Sequence, residues 1–441
     1  MSDLLKRIGI GGAIGLAVAI IIGWGSYEVP FIKSLLDGYE FLSYDGRMRA
    51  RTAGVEQMSI DDVVIVDIDN TSVAPVEEGG LGHYFDWPQA YHGRLINTVT
   101  SGNPAALIFD IIFDKENTFN YDLVNALNNE NAPKNEALVD VTGQFLASND
   151  PDIFLETTYN SQKTYHALVF EQEDTLNFLP KMDTEPEGYY FENHIIHGLS
   201  KEAKSKLPQA DRLGNTYVDL LSASVGAGSA NFPQDEDGVI RRSPTAIYFE
   251  GADHVYPSLV MSAAIDILGI KKDGGFDYDF KNQVLRLIDT TNTVVREIPI
   301  DEHGRMYVNY YGPFQTFYYL PYMYCFDPEM LPSEYWEGKV AFVGASLPGL
   351  MDLRNTPVQE TFAGVEIHAN VMQSLLKGEF VQPKHRSETF VMIIIICVVL
   401  GVVVSLPEKP LYTLPVPLVG IVAWILFTYS QFFSSLIMWE I

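Results

Sequence analysis

The stretch VVIVDIDNTSV, from Val63 to Val73, opens with four consecutive β-branched residues and then carries two aspartates at positions i and i+2. Valine and isoleucine favour strands because their branched side chains pack well on a pleated surface. A short run that is apolar on both faces is typical of a central strand in a sheet that is covered on both sides. We therefore predict a buried strand that ends at Asp67 and Asp69 and is followed by an acidic loop.

Three further apolar runs have the same character. They are AALIFDIIF (105–113), TYHALVF (164–170) and KVAFVGAS (339–346). Helical patterns lie between them, at 88–100, 257–269 and 364–378. Pro88 and Pro257 stand at first-turn positions, and Gly378 stands where a helix would end. This alternation predicts an α/β layered domain with a mixed, mostly central sheet that is covered by helices.

Long apolar runs stand near both ends of the chain. The first contains 20 uncharged residues from Ile8 to Tyr27, which matches the ~20 residues that a membrane-spanning helix needs. The second extends from Thr389 to Pro407 and the third from Leu411 to Trp439. We predict an amino-terminal stub and spanning helix in 1–27, an outer domain in 28–388, a spanning helix in 389–407, and in 411–441 a third helix with the start of another.

The charges beside the first run predict its orientation. Lys6 and Arg7 favour a cytoplasmic amino terminus, which places residues 28–388 outside the cytoplasm, although basic residues just before the second run oppose this. A cleaved signal peptide ending at Gly23–Gly25 is the alternative, but the uncharged run is longer than is usual for one. Because the chain stops at Ile441 inside an apolar run, we expect it to be part of a longer protein.

The overall composition excludes one class of partner. The 441-residue chain has 29 basic and 57 acidic residues, a net charge of −28, which repels nucleic acid and favours cations or basic partners. Its two cysteines, Cys325 and Cys397, lie in an outer and an apolar segment, so we expect no disulfide framework. The apolar runs make the lipid bilayer a partner.

Acidic residues follow several of the predicted strands. These candidates for a strand-end site are Asp67, Asp69, Asp110, Asp114 and Asp352. Ligands of open α/β sheets bind at the carboxyl ends of the strands, and carboxylates there could hold a divalent cation. Alternatively, these aspartates cap helices and bind loop amides. No other cofactor is implied.

Two basic side chains complete the set of candidate ligand-binding residues. Arg241 follows the acidic turn QDEDG, which we interpret as a turn that launches a strand, with Arg241 or Arg242 folded back onto a carboxylate. His368 lies in the helical pattern GVEIHANV, where it is either a hydrogen-bonded structural histidine or a residue with a sensing role.

The pair Asp67 and Asp69 also resembles the first motif of the haloacid-dehalogenase phosphohydrolases, in which it supplies a nucleophile and an acid/base. Those enzymes need a hydroxyl after a second strand, a lysine after a third and a later acidic pair for Mg²⁺. Here the second strand delivers Asp110 instead of a hydroxyl, and Asp352 is the only acid close behind KVAFVGAS. We therefore expect no catalytic residues in this chain.

Taken in order, the segments of the chain resemble the type-two CHASE domain, an extracellular sensor associated with bacterial cyclases and histidine kinases. The matching pieces are YDGRMRAR (44–51), VVIVDID (63–69), WPQAYHGRLINTV (87–99), PAALIFDIIF (104–113), DEDGVIRRSP (235–244), YPSLVMSAA (256–264), MYVNYYGP (306–313), GKVAFVGAS (338–346) and GVEIHANVMQSLL (364–376). The acidic segments 128–149 and 172–216 are long for the family.

The resemblance implies a sensor in the inner membrane with its large domain in the periplasm or outside. In that family three membrane helices follow the sensor and lead to a cytoplasmic cyclase or kinase, which this chain does not contain. The resemblance also implies a homodimer or membrane complex, and it leaves the extracytoplasmic ligand or protein partner open. If the natural protein ends near Ile441, a structural or accessory subunit of a membrane complex becomes the alternative.

Overall fold

The computed structural model describes residues 2–116, 136–150, 152–172, 194–347, 353–407 and 415–439, with single residues 125, 129, 179 and 413. The chain divides into two compact units. The terminal unit comprises Met1–Ala53 and Glu379–Ile441, and the central unit comprises Gly54–Gly378.

Eleven α-helices and nineteen strands lie in the described residues. The helices are α1 Ser2–Glu28, α2 Pro30–Thr52, α3 Ala90–Ser101, α4 Glu136–Ser148, α5 Asp152–Ser161, α6 Lys201–Lys206, α7 Val218–Ala223, α8 Leu259–Ile267, α9 Gly364–Lys377, α10 Arg386–Ser405 and α11 Pro415–Ser435. The strands are β1 Ile60–Ile68, β2 Ala106–Phe109, β3 Thr164–Glu171, β4 Gln209–Ala210, β5 Arg212–Asn215, β6 Gly226–Ser229, β7 Arg242–Pro244, β8 Ala246–Phe249, β9 His254–Pro257, β10 Phe276–Asp279, β11 Val284–Ile288, β12 Val294–Pro299, β13 Arg305–Tyr307, β14 Phe317–Pro321, β15 Val340–Ala345, β16 Leu353–Arg354, β17 Phe362–Ala363, β18 Gln382–Pro383 and β19 Ile437–Met438.

The main sheet of the central unit has the strand order β14-β1-β15-β2-β3-β5, and β6 also pairs with β3. Every pairing in it is parallel except that of β3 with β5. The predicted mixed sheet of an α/β domain is therefore confirmed. The strand predicted from VVIVDID is β1, which lies between β14 and β15 with its residues from Val63 to Val66 fully buried.

Helices cover both faces of this sheet. On one face, Val64 and Val66 belong to a core cluster that includes Leu95 of α3 and Phe154 of α5. The alternate residues of β1 are equally buried, and α9 packs against β1 and β15. Because side chains along a strand alternate between faces, burial at every position requires cover on both sides.

The segments that the sequence marks as insertions contribute regular structure where they are described. The helix-like pattern EALVDVTGQFLAS forms α4. Within 194–216 the chain forms α6, β4 and β5, and β5 pairs antiparallel with β3 at the edge of the main sheet. Residues 173–178 and 180–193 of the second segment lie outside the described residues. Strand β4 pairs with β8 in a separate small sheet that also contains β9.

Three helices of the terminal unit are long and apolar enough to cross a membrane, in the spans Asp3–Gly25, Ser387–Ser405 and Pro415–Ser435. Helices α1 and α10 approach each other at glycines. A Cβ atom built on Gly11 would lie 2.3 Å from the carbonyl oxygen of Gly401. Small residues such as glycine allow the backbones of two membrane helices to come into contact. Association of helices in a membrane is stabilised by such close packing, because lipid does not supply a hydrophobic driving force.

The end of the chain differs from the expected start of another helix. After α11 the short strand β19 pairs with β18, and Leu436 lies between helix and strand at a φ of 54°. The Gln382 amide donates to the Leu436 carbonyl at 2.9 Å, and the Lys384 amide donates to the Met438 carbonyl at 2.8 Å. These bonds supply hydrogen-bond partners for backbone groups that would otherwise pair within a new helical turn.

Helix α2 is an element that the sequence analysis did not identify, and it belongs to the terminal unit. Pro30 stands at its first turn, a position where a proline costs no hydrogen bond. The buried Arg47 guanidinium binds Glu40 at 2.6 Å and the Trp439 carbonyl at 3.0 Å. Arg47 therefore ties α2 to the segment that follows α11.

Candidate functional site

Asp67 joins the ends of two neighbouring strands. Its side chain is 4% exposed, Oδ1 accepts the Ser346 N–H at 2.7 Å, and Oδ2 accepts the Ser346 O–H at 2.5 Å. Ser346 follows β15 directly. Burial raises the pKa of Asp67 to about 6, although the two hydrogen bonds from Ser346 oppose the shift, and the nearby charge of Asp69 adds to it. Both carboxylate oxygens are thus used within the fold.

Asp69 shapes the loop after β1. Its Oδ1 accepts the Ser72 N–H at 2.8 Å and the Ser72 O–H at 2.6 Å. The Ser72 hydroxyl oxygen in turn accepts the Met323 N–H at 3.2 Å. Short polar side chains that bind backbone amides a few residues ahead stabilise such turns. Asp69 therefore caps its own loop through Oδ1.

Asp110 and His368 lie next to each other at the end of β2. The Asp110 Oδ1 atom is 3.6 Å from the His368 Nε2 atom. Burial lowers the pKa of His368 to about 3, with the carbonyl of Ala230 opposing the shift and Arg354 adding to it. The imidazole is therefore neutral near pH 7, and its contact with Asp110 is not an ion pair. The ring packs on Phe232, with 4.3 Å between the ring centroids.

Three of the five predicted aspartates, Asp67, Asp69 and Asp110, lie at the edge formed by the carboxyl ends of β1 and β2. Asp67 pairs with Gly344, and the Asp110 N–H binds the Val343 carbonyl at 2.9 Å, so two strand spacings, roughly 10 Å, separate Asp67 and Asp110. Asp114 is exposed, and Asp352 lies outside the described residues.

Arg241, also a predicted site residue, lies in a different network. It binds Asp235 at 3.2 Å and Asp237 at 2.7 Å, and β7 begins at the next residue. The interpretation of QDEDG as a turn that launches a strand, with an arginine folded back onto a carboxylate, is confirmed.

Glu366 is a buried acid that the sequence analysis missed. It lies in the first turn of α9 with no exposed surface, and its carboxylate accepts the Gln315 N–H at 2.9 Å, the Thr316 N–H at 3.0 Å and the Tyr319 O–H at 2.9 Å. Burial raises its pKa to about 7 against these hydrogen bonds. The sequence signal for this acid was a glutamate within the apolar helical pattern GVEIHANV. An acid at a position that the pattern predicts to be buried needs hydrogen-bond partners in the fold.

A cavity of about 840 Å³ opens at the carboxyl end of the sheet. Its lining includes Asp110 after β2, Glu171 at the end of β3 and Ala230 after β6, and Arg305 of β13 closes another side. A smaller cavity of about 180 Å³ is also bounded by Asp110. Asp110 is thus the predicted site residue that faces open space at this edge, the usual place for ligands of open α/β sheets.

Within the described ranges, no group of three or more His, Cys, Asp or Glu side chains is placed to hold a metal ion. The Ser346 hydroxyl donates to Asp67, and each oxygen of the Asp67 carboxylate accepts one hydrogen bond from Ser346. The fold and the site together define an α/β domain with a cavity at the carboxyl end of its sheet, in a chain that carries helices able to cross a membrane.

A family model described as the CHASE2 domain matches residues 14–405. The match covers most of the chain, and the chain belongs to the CHASE2 domain family, whose members are extracellular sensor domains. The resemblance stated from the sequence is confirmed, and a sensor rather than a catalytic domain is what the family provides. No curated protein and no solved structure matches the chain.

The role of Asp67 as a structural tie can be tested by substitution. Asp67→Ala is expected to lower the free energy of unfolding by about 1–3 kcal/mol, because it leaves the half-buried Ser346 N–H and O–H without their acceptor. Asp67→Asn should cost less, since its oxygen can accept from the N–H and its amide can donate to the hydroxyl oxygen. Urea unfolding of the purified chain measures both. Mg²⁺-dependent hydrolysis of p-nitrophenyl phosphate that is lost in Asp67→Asn would contradict this reading.

Proposed function

We propose that the chain is the sensing part of a signal-transduction protein. Binding of a ligand or partner to the central unit would be passed across the membrane to a cytoplasmic output domain, such as a cyclase or a kinase. The observation that supports this most is the two-ended connection: the central unit is joined at Gly54 and at Gly378 to a unit that contains membrane-length helices. A shift in either end of the central unit is thereby transmitted along the backbone.

The location that follows from this proposal is the inner membrane. Lys6 and Arg7 favour a cytoplasmic amino terminus for α1, and the central unit then lies in the periplasm or outside. Helices α1, α10 and α11 would make the protein multi-pass, with lipid around them. We propose a homodimer or a larger membrane complex as the working assembly.

Contacts between α1 and α10 offer a direct readout of signal transfer. A Cβ built on Gly12 lies 3.5 Å from Val402 Cγ2, an ordinary van der Waals distance, whereas one built on Gly9 has no atom within 4 Å. A ligand shifts the equilibrium between two conformations of a protein only when it binds them with different affinities. If ligand binding is transmitted across the membrane, the arrangement of α1 and α10 or of their surroundings must therefore change.

We expect Gly12→Cys combined with Val402→Cys to form a disulfide rapidly under mild oxidation, because a Cβ at position 12 lies 3.5 Å from Val402 Cγ2, a separation that suits disulfide geometry. The two cysteines are introduced into a chain that also carries Cys397→Ala. A protease site is inserted at the exposed turn that contains Thr291, so cleavage separates α1 from α10 into two fragments. A non-reducing gel then shows whether a disulfide still joins these fragments. Gly9→Cys with Val402→Cys is the matched control and should stay uncrosslinked.

The function itself is tested by adding amino acids, organic acids, sugars and nucleotides, each at millimolar concentration, to the full chain in membranes. A compound that binds the central unit is expected to change the crosslinking rate severalfold. A binding compound that leaves the rate unchanged would contradict signal transfer and favour the accessory-subunit alternative.

A further inference from the structure

Arg305 lines the large cavity, and Asp301 holds its guanidinium through Nε. Its Nε donates to Asp301 Oδ2 at 2.7 Å, while Asp301 Oδ1 accepts the backbone N–H groups of His303 and Arg305, both at 2.9 Å. Among the described residues the two Nη atoms of Arg305 make no hydrogen bond. Asp301 thus fixes the orientation of the guanidinium and leaves its terminal fork for another acceptor.

The lining of the cavity carries both cations and carboxylates. Three basic residues, Lys206, Arg305 and Arg354, face the cavity against two acids, Asp110 and Glu171. Glu171 Oε2 accepts the Leu179 N–H at 2.9 Å, Lys206 is paired with Glu202 at 3.0 Å, and Arg305 is paired through Nε with Asp301 at 2.7 Å. The carboxylates of Glu202 and Asp301 offset two of these cations, so the preference for an anion comes from the Nη fork of Arg305 and not from the net charge of the lining.

The remaining walls of the cavity are largely apolar. They include Ile111, Val169, Phe170, Leu207, Phe232 and Ile247. A volume of about 840 Å³ is within the range of sites for small molecules, which combine apolar walls with a few fixed polar groups. The ligand that fits this combination has an apolar body and one anionic group.

We propose that this cavity binds a small organic carboxylate with an apolar body, and that the Nη pair of Arg305 receives the carboxylate. The planar fork of an arginine matches a carboxylate in two parallel hydrogen bonds, which gives direction as well as charge. The aromatic and aliphatic walls take the body of the ligand. This inference rests on the proposed sensing function and names the ligand class that the sensor would detect.

Calorimetric titration of the full chain in nanodiscs tests the proposal. The probes are decanoate, phenylacetate and indole-3-acetate, each compared with its uncharged primary amide, and inorganic phosphate and sulfate. At least one organic carboxylate is expected to bind with a negative heat-capacity change, because apolar surface is buried, while its amide binds much more weakly. Binding of phosphate or sulfate as tight as that of the carboxylates would contradict an apolar-bodied ligand.

Substitutions separate the carboxylate anchor from general charge. Arg305→Gln is expected to weaken carboxylate binding about 10- to 100-fold, the usual range for losing hydrogen bonds to a charged group. Arg305→Lys should recover part of this loss, since it keeps the charge but not the fork. The matched control is Arg286→Gln, which removes an arginine that also binds carboxylates but does not line this cavity. It should bind as the parent does.

A second variant guards against misfolding of Arg305→Gln. Ala230→Leu adds bulk to the cavity wall while Arg305 is untouched, and it should also weaken binding. Equal affinity for acids and amides, no binding of any carboxylate in the panel, or unchanged affinity in Arg305→Gln would each overturn the proposal. Carboxylate binding that leaves the Gly12–Val402 crosslinking rate unchanged would keep the site and refute the sensing function.

Discussion

Arg241→Met is expected to lower the free energy of unfolding of the central unit by about 3–5 kcal/mol, the usual cost of removing one partner from a buried ion pair. The Arg241 side chain is 1% exposed and that of Asp235 is 2% exposed. Without Arg241, Asp235 keeps only Arg242 as a described ion-pair partner, at 2.5 Å, and Asp237 loses the hydrogen bonds that hold its pKa below the ordinary value. The large effect comes from leaving a carboxylate buried with part of its compensation gone.

Urea unfolding followed by pulse proteolysis measures this loss in the full chain. The matched control is Arg286→Met, because Arg286 also contacts three carboxylates, those of Asp277, Asp279 and Glu297, but its side chain is 30% exposed. Exposed ion pairs contribute about 0–1 kcal/mol each, so the control should change stability little. Equal losses in the two variants would show that the turn with Arg241 is not a buried structural network.

Glu366→Gln is expected to change how stability depends on pH. The folded protein holds the Glu366 proton up to a pKa of about 7, whereas an unfolded glutamate releases it near the ordinary value of 4.5. Between these values the folded state binds more protons, so the contribution of this group is fully present below pH 4.5 and is lost as the pH rises to 7. A shift of this size corresponds to about 3 kcal/mol.

The diagnostic quantity is the difference between the parent and Glu366→Gln, not the stability curve of the parent. Four buried histidines act in the opposite direction, since burial lowers the pKa of His92, His166 and His368 to about 3 and that of His194 to about 4. Their contribution grows as the pH rises toward their unfolded value of 6.5. Subtracting the two curves removes these shared contributions.

Denaturation of both proteins at intervals from pH 4.5 to 7.5 is the measurement. The free energy of unfolding of the parent minus that of Glu366→Gln should fall by about 3 kcal/mol across the range as pH rises. Glu297→Gln provides the control, because the Glu297 carboxylate is 66% exposed. A pH-independent difference for Glu366→Gln would mean that this carboxyl does not titrate differently in the folded and unfolded states.

The positions of some candidate site residues can be predicted from the local sequence pattern, whereas their hydrogen-bond partners cannot. Asp67 and Asp110 both follow apolar strand runs, and parallel strands bring such residues to one edge, which the structure shows. The pattern could not reveal that the Asp67 carboxylate is occupied by Ser346, a residue 279 positions away. It also could not distinguish Asp69, which caps its own loop, from a ligand-binding acid, because both roles use the same residue type after a strand.

Arg241 and Arg305 also show that the sequence pattern alone does not reveal which side chains are already bound within the fold. Arg241 was a candidate because it follows an acidic turn, and that same proximity engages it with Asp235 and Asp237. Arg305 was not a candidate, yet it lies in the lining of the large cavity with its fork available among the described residues. Which arginine remains available depends on the tertiary positions of the carboxylates.

The sequence by itself determined the central strand VVIVDID, the α/β class, the three membrane-length runs and the family, because each depends on hydrophobic periodicity, run length or the order of segments along the chain. Only the tertiary structure decided that Glu366 is a buried acid bound by three donors, that Arg305 faces a cavity, and that α1 meets α10 at glycines. Those features depend on pairings between residues far apart in the chain, and the free energy of burying a charge or closing a helix contact is set by what those distant residues supply.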